Sequence, residues 1–292
     1  MNAFEQRYRQ IGGKIVPVVL KPAIRVNTLK IDEQQLAERL AAKGVVLKKI
    51  PFAKHGYAVE SSKFSLGASV EYLKGYLTPQ ETAAQLPVQV LDPQPGDRVL
   101  DMAAAPGVKT SQISQWMQNK GTIVAVEKNN RRVVGMKNNL ERLDAQNCIA
   151  FNTDATKLKE WKLTFNKILL DAPCMGNYVK DKDWLGKHTL NELDRNTMTQ
   201  KALLAAAVSL CEKNGTIVYS TCSLEPEENE FIIDWALRTL PVRCVSTGLT
   251  IGKEGLTQAF GKRLTADVKN TRRLWPHETQ TEGFFVAKLV RQ

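Results

Sequence analysis

The 292-residue sequence lacks the features that would place it in several broad classes. No run approaches the roughly 18–20 apolar residues of a membrane span. The first ten residues are polar and charged, so a secretory leader is not expected. The five cysteines, Cys148, Cys174, Cys211, Cys222 and Cys244, are odd in number, and no two stand three or four positions apart. That spacing argues against both a disulfide framework and a zinc ribbon. His55, His188 and His277 are isolated, so no metal site is expected. No repeat and no low-complexity stretch is present. The expectation is a cytoplasmic, monomeric globular protein without metal, large enough to bury its own core.

Positive charge is what the chain has in excess. The formal net charge is +11, and residues 1–75 carry 13 Lys/Arg against 6 Asp/Glu. Basic residues concentrated at one end point to a polyanionic partner, because each neutralised phosphate releases counterions. A merely solvated basic surface is the alternative.

Residues 1–75 read as a small α/β unit, with strand-like 23–29, helical spacing over 31–43, a stop at Gly44 and a strand at 45–50. A connecting helix is expected over 81–90, then a Pro- and Gly-containing turn at 92–97. From Arg98 onward strands and helices alternate. Strands are expected at 98–101, 122–127, 147–152, 167–171, 216–220 and 283–289, and helices at 111–119, 131–143 and 191–212. Thr189 and Glu192 have the spacing of a capping box. The alternation predicts a parallel sheet with helices on both faces, in a second domain over 76–292. Ligands of such sheets bind at the carboxyl ends of the strands.

The strand ends carry the chemistry. The first runs into Asp101-Met-Ala-Ala-Ala-Pro-Gly-Val-Lys-Thr110. Ala103, Ala104, Ala105, Pro106 and Gly107 make a loop that a ligand can approach closely, and the helix after it offers free N–H groups. A Walker A motif is excluded, since Gly107-Val-Lys-Thr lacks its spacing. Glu127 ends the second strand, twenty residues beyond Gly107, where an acid can accept from both ribose hydroxyls. Asp154 follows the third strand and Asp171 ends the fourth. Asp171-Ala-Pro-Cys174 holds an acid and a thiol three residues apart. Cys222 follows the fifth strand. Pro226 fits a first helical turn, with Glu227, Glu228 and Glu230 complementing the helix N-terminus. This places Cys222 just before a helix, where a thiol pKa can fall, although the glutamates oppose that fall. Cys148, Cys211 and Cys244 read as small buried hydrophobes.

With these residues in view, the sequence resembles the NSUN-type RNA cytosine-5 methyltransferases. The resemblance spans nearly the whole chain, through Arg25-Val-Asn-Thr-Leu-Lys30, Thr78-Pro-Gln-Glu81, the Ala-Ala-Pro-Gly-Val-Lys loop, Asp171-Ala-Pro-Cys174 and Ser220-Thr-Cys-Ser223. It departs from the family at Val108, where a second glycine is common, and at Met175, where Ser or Thr is common. The resemblance implies a Rossmann-like S-adenosylmethionine-dependent methyltransferase sheet behind a small RNA-binding N-terminal domain. It implies that Ala103, Ala104, Ala105, Pro106, Gly107, Val108 and Lys109 cradle the methionine end of S-adenosyl-L-methionine. Glu127 would hold the ribose and Asp154 the adenine, with Arg132 and Asp171 completing the cofactor site.

The same resemblance makes Cys222 the nucleophile toward cytosine carbon 6, Asp171 the partner of ring N3, and Cys174 the residue that assists release. The expected partner is RNA, with tRNA ahead of ribosomal RNA. A non-catalytic RNA-binding protein is the first alternative. A DNA enzyme is the second, since Pro173-Cys174 matches the nucleophile position of cytosine-5 DNA methyltransferases. The scattered tryptophans read as core, and Arg272-Arg273 as either an RNA contact or a solvated pair.

Overall fold

The structure is a computed structural model that describes residues 3–292. Its N-terminal helix α1 (Ala3–Gln10) presents Phe4 and Tyr8 inward. Both pack not on the N-terminal sheet but among Met175, Trp184, Leu224 and Trp275. Residues 1–75 therefore contribute an element that packs against Leu224, two residues from Cys222.

The rest of the N-terminal unit is a four-stranded antiparallel sheet in the order β2-β3-β1-β4. The strands are β1 (Ala23–Val26), β2 (Val46–Lys49), β3 (Gly56–Ser61) and β4 (Leu77–Pro79). Helix α2 (Glu33–Ala41) starts where Asp32 accepts from the N–H groups of Gln34 and Gln35. It buries Leu36 and Leu40 against Ile24, Val26 and Leu77. A short α3 (Val70–Leu73) leads into β4. Where a single helix was expected over 81–90, a 3-10 turn at Ala83–Gln85 leads into α4 (Leu86–Leu91), which carries Pro87 in its first turn.

The central sheet places β7 (Cys148–Asn152), β6 (Thr122–Glu127), β5 (Arg98–Asp101), β8 (Phe165–Asp171) and β9 (Cys211–Thr221) side by side and parallel. The expected all-parallel sheet is corrected at its far side, where β15 (Phe284–Arg291) runs antiparallel to β9. β15 also pairs antiparallel with β10 (Val242–Val245) and β14 (Arg272–Leu274). The link from β14 to β15 holds only the short α10 (Pro276–Thr279), too little for the dozen or more residues of a parallel crossover. β11 (Lys253–Glu254) extends this edge, and β12 (Gln258–Ala259) and β13 (Lys262–Arg263) form a separate hairpin.

Four further helices complete the layers: α5 (Val108–Trp116), α6 (Asn130–Arg142), α8 (Leu190–Leu210) and α9 (Glu230–Thr239), with one short turn, α7 (Trp184–Lys187). α5 begins three residues earlier than the spacing predicts, directly at Gly107. There φ is +91°, a left-handed backbone that favours glycine. The Thr189–Glu192 capping box does not form. Thr189 makes no side-chain cap bond, and the Glu192 carboxylate lies 2.7 Å from His188 Nδ1 instead.

Two buried polar networks weld the N-terminal sheet to this domain. Arg25, 1 % exposed, donates to Gln80 Oε1 (2.9 Å), Gln115 Oε1 (2.7 Å), Ser111 Oγ (2.8 Å) and the Val108 carbonyl (3.2 Å). Burial pushes its guanidinium down to about 9. Asn27 donates to the carbonyls of Gly75 and Leu143 at 2.9 and 2.8 Å. The first network ends on α5, the helix that opens at the small-residue loop.

Candidate active site

The carboxyl ends of β5, β6, β7 and β8 converge on two cavities, and Ala103 lines both. The larger, about 320 Å³, is walled by Met102, Glu127, Arg132, Asp154, Pro173 and Leu203. The smaller, about 220 Å³, takes in residues 103–106, Val108, Lys109, Asp101 and Asp171.

Glu127 is buried at 4 % exposure yet remains a hydrogen-bonding carboxylate. It accepts from the Asn129 N–H at 2.8 Å and pairs with Arg132 at 3.0 Å, leaving lone pairs for a further donor. Arg132 also donates to the Ala105 carbonyl at 2.6 Å, tying α6 to the loop after β5. Asp154 caps the 3-10 turn at Ala155–Trp161, accepting from the Thr156 N–H and hydroxyl at 3.0 and 2.7 Å. Those hydrogen bonds hold its carboxyl below the usual range. A buried acid at a ribose distance along the sheet, a second acid at the cavity rim and apolar walls between them fit an adenosyl group. The alanine loop leaves room for the rest of such a cofactor.

At the boundary of the smaller cavity, Lys109 Nζ donates to Asp171 Oδ2 at 2.6 Å, and the Ser220 hydroxyl donates to Asp171 Oδ1 at 2.7 Å. Burial opposes the charge on Lys109, but the Asp171 carboxylate outweighs it and raises the ammonium above its ordinary range. Asp101, deeper in, accepts from the Thr110 hydroxyl at 2.7 Å, and burial pushes it up to about 6. Lys109 was expected only as a wall of the cofactor loop. Its partnership with Asp171 was not legible, since the two lie 62 positions apart.

Cys174 and Cys222 stand on adjacent parallel strand ends with their sulfurs 3.3 Å apart. The hydrogen bond with Cys222, then burial, pushes the Cys174 thiol well up. The two sulfurs are within hydrogen-bonding distance, with either thiol able to donate. Burial likewise pushes the thiols of Cys148, Cys211 and Cys244 up to about 12.

The segment after Cys222 corrects two expectations. Helix α9 begins at Glu230, so Pro226 lies outside it and Cys222 stands eight residues upstream rather than just before a helix. Glu230 does stand in the first turn of α9, as expected, but Glu227 and Glu228 lie before the helix and serve other partners. Glu228 accepts from Met175 N–H (3.2 Å), Asn196 (3.1 Å) and Gln200 (3.0 Å), and Gln200 also donates to the Pro173 carbonyl (2.9 Å). Glu228 thereby fixes the Asp171–Cys174 turn from the Cys222 loop. Asn177 does the converse, donating to the Cys222 carbonyl at 2.7 Å. Glu225 and Glu227 pair with Arg7 of α1 at 3.1 and 2.6 Å. Glu230 is paired with Arg273, which is 1 % exposed, so Arg273 is neither a solvated residue nor a nucleic-acid contact.

Among the described residues, no cluster of His, Cys, Asp and Glu could hold a metal ion, and no helix is long and apolar enough to cross a membrane.

Five parallel strands closed by an antiparallel β15, with a small-residue loop after the first and acids after the next, define a Rossmann-like methyltransferase fold. Within that class, the family described as 16S rRNA methyltransferase RsmB/F matches residues 88–290. The chain belongs to this family, that of the NSUN-type RNA cytosine-5 methyltransferases, whose members depend on S-adenosylmethionine. It is 40 % identical over 275 residues to a 28S rRNA (cytosine-C(5))-methyltransferase of Mus musculus, covering 92 % of this chain and 35 % of that protein. It is 33 % identical to a tRNA (cytosine(49)-C(5))-methyltransferase of Pyrococcus abyssi, covering 92 % and 88 %. The chain spans about a third to a half of the length of the eukaryotic relatives. Among solved structures, a methyltransferase homolog from Pyrococcus horikoshii superposes with a TM-score of 0.87 at 40 % identity, covering 94 % of this chain and 87 % of that one. NSun6 from the same organism, solved with SFG, an analogue of S-adenosylmethionine, gives 0.84 at 26 %, covering 98 % and 93 %.

Proposed function

We propose that this chain methylates carbon 5 of a cytosine in RNA, with Cys222 as covalent nucleophile and tRNA as the substrate class. The observation that carries the reading is the contact between the two cysteine sulfurs beside the Lys109–Asp171 pair. A binding protein has no need of two thiols, an acid and an ammonium at one strand edge. The Pyrococcus abyssi relative, matched over most of both chains, favours tRNA. The family description and the 40 % identical relatives keep ribosomal RNA as a second reading.

The residues 103–109, Glu127, Arg132 and Asp154 would hold S-adenosylmethionine, which supplies an electrophilic methyl group. Carbon 5 of cytosine is a weak nucleophile. Addition of the Cys222 thiolate to carbon 6 forms a carbon–sulfur bond and makes carbon 5 enamine-like. Asp171 faces ring N3 and relays to it, as negative charge builds there, a proton drawn from the Lys109 ammonium across their 2.6 Å bond, leaving Lys109 neutral. After methylation N3 returns its proton through Asp171 to Lys109, a water takes the carbon-5 proton, the carbon–hydrogen electron pair re-forms the 5,6 double bond, and the carbon 6–sulfur bond breaks. Cys174, held protonated at 3.3 Å, supplies a proton to the departing Cys222 sulfur. The basic N-terminal sheet would grip the RNA while the target base turns out of its stack. The expected setting is a cytoplasmic monomer.

The test is methyl transfer from labelled S-adenosylmethionine to RNA, with bisulfite sequencing of cellular RNA in the presence and absence of the protein. Protein-dependent 5-methylcytosine at defined tRNA positions supports the reading. Label in ribosomal RNA alone moves the substrate class, and no transfer to any RNA contradicts it.

A further inference from the structure

The mechanism leaves three carboxyls of the smaller cavity unused, and one of them, Asp101, is bonded to the Thr110 hydroxyl. Glu81, just after β4, and Glu282, just before β15, line it together with Lys109, Asp171 and Lys180. Glu81 is occupied as a brace. It accepts from the backbone N–H of Glu282 (3.0 Å), Ala83 (2.6 Å) and Ala84 (3.2 Å). Glu282 is not. It is 3 % exposed, its Oε1 is buried without a hydrogen-bond donor, and the Lys180 ammonium stands 3.9 Å off. A buried acceptor left unpaired is a cost that a ligand donor can remove.

The location is held to the nucleophile. Asn177 donates both to the Cys222 carbonyl (2.7 Å) and to the carbonyl of Gly283 (3.1 Å), the residue after Glu282. A Cβ on Gly283 would meet Leu224 at 2.7 Å, so this backbone is packed directly on the Cys222 loop. A base attacked by Cys222 and served at N3 by Asp171 presents its 4-position next along the same edge. Cytosine carries an amino donor there, and uracil a carbonyl acceptor. An acceptor lacking a donor is complementary to the first and repels the second.

We propose that Glu282 is the residue that distinguishes cytosine from uracil, by accepting a hydrogen bond from the exocyclic N4 amino group. This rests on the cytosine-methylation reading above. Burial pushes Glu282 up to about 7, with Glu81 and Asp171 adding to the rise and Lys180 and Lys109 opposing it. Near neutrality both forms are therefore accessible; the carboxylate accepts from the amino group, whereas the protonated form can donate to a uracil carbonyl, so the preference for cytosine sharpens as the pH rises above about 7.

The experiment measures single-turnover methyl transfer to an RNA oligonucleotide carrying the mapped cytosine, and to the same oligonucleotide with 2-pyrimidinone, which lacks the amino group. Wild type, Glu282→Met and Glu282→Gln are compared, and binding of S-adenosylhomocysteine checks that each is folded. Glu282→Met is expected to lose about ten-fold or more on cytosine and no more than about two-fold on 2-pyrimidinone. Glu282→Gln, with one neutral acceptor, falls between. Equal losses on the two bases, the result of a merely structural role, overturn the proposal. If Glu282→Met does not fold, Glu282→Gln decides, and an unchanged base preference in it overturns the proposal. A wild type inactive on cytosine RNA contradicts the methylation reading itself, whereas an active wild type with base-independent losses contradicts only Glu282.

Discussion

Two buried polar regions of this chain are built on opposite terms. Around Arg25, where the N-terminal sheet meets α5, the guanidinium has four acceptors within 3.2 Å, and their glutamines are in turn bonded onward. At the ends of β8 and β9 and the start of β15, satisfaction is incomplete. Two thiols face each other, a carboxyl oxygen of Glu282 has no donor, and Asp171 lies at a cavity wall with its lysine. The first region is closed on itself, so it can only hold position. The second keeps donors and acceptors in reserve for something that arrives. Buried charge alone does not separate structure from chemistry here; the degree of satisfaction does.

The comparison can be broken by substitution. Cys222→Ala is expected to abolish methyl transfer while leaving the melting temperature within about 2 °C of wild type, measured by filter assay and calorimetry. Appreciable turnover would remove Cys222 from the mechanism. Lys109→Met should cost about 100-fold or more in single-turnover rate, since Asp171 loses its countercharge. A larger effect on stability than on rate would move this pair to the structural side. Arg25→Met should do the reverse. It strands several buried acceptors and is expected to destabilise by about 3 to 5 kcal/mol in urea unfolding, with activity largely retained in the folded fraction.

The smallest effect is on pH dependence. Asp101, Glu225 and Glu282 sit at about 6, 7 and 7 in the folded chain, each raised chiefly by burial. Raised acids bind more protons folded than unfolded, so their contribution is complete below about pH 4 and is lost as the pH rises through 6 to 7. Glu33, lowered to about 2, acts oppositely, but only as the pH falls below about 4.5. Stability in urea unfolding should therefore decline between about pH 4 and pH 7, and Glu282→Gln should flatten that decline by on the order of 1 to 3 kcal/mol. A flat wild-type profile would mean these carboxyls are not desolvated.

The alternation of strands, the loop after β5 and the acids at successive strand ends were legible because they are local patterns, with periods and spacings within one or two elements. The four-stranded N-terminal sheet was legible only in part, since β3 and β4 lack a distinct alternation. What joins distant strand ends was not legible. Lys109 reaches Asp171 across 62 positions, and Glu228 reads as a helix-capping acid until the fold turns it toward Met175 and Gln200. Arg273 failed for the same reason, since a surface-like Arg-Arg pair becomes buried only through its pairing with Glu230. Cys174 and Cys222, 48 positions apart, were legible singly, but the contact between their sulfurs was not, and their separate roles remain part of the proposed function.

That division of labour is the central claim, and one gel tests it. Cys174→Ala, incubated with the RNA substrate and S-adenosylmethionine and run under denaturing conditions, should accumulate a slowly migrating covalent protein–RNA band. Cys174→Ala/Cys222→Ala should show none. A band that persists in the double variant, or one that forms in Cys222→Ala and is absent from Cys174→Ala, would contradict the assignment of Cys222 as the attacking thiol.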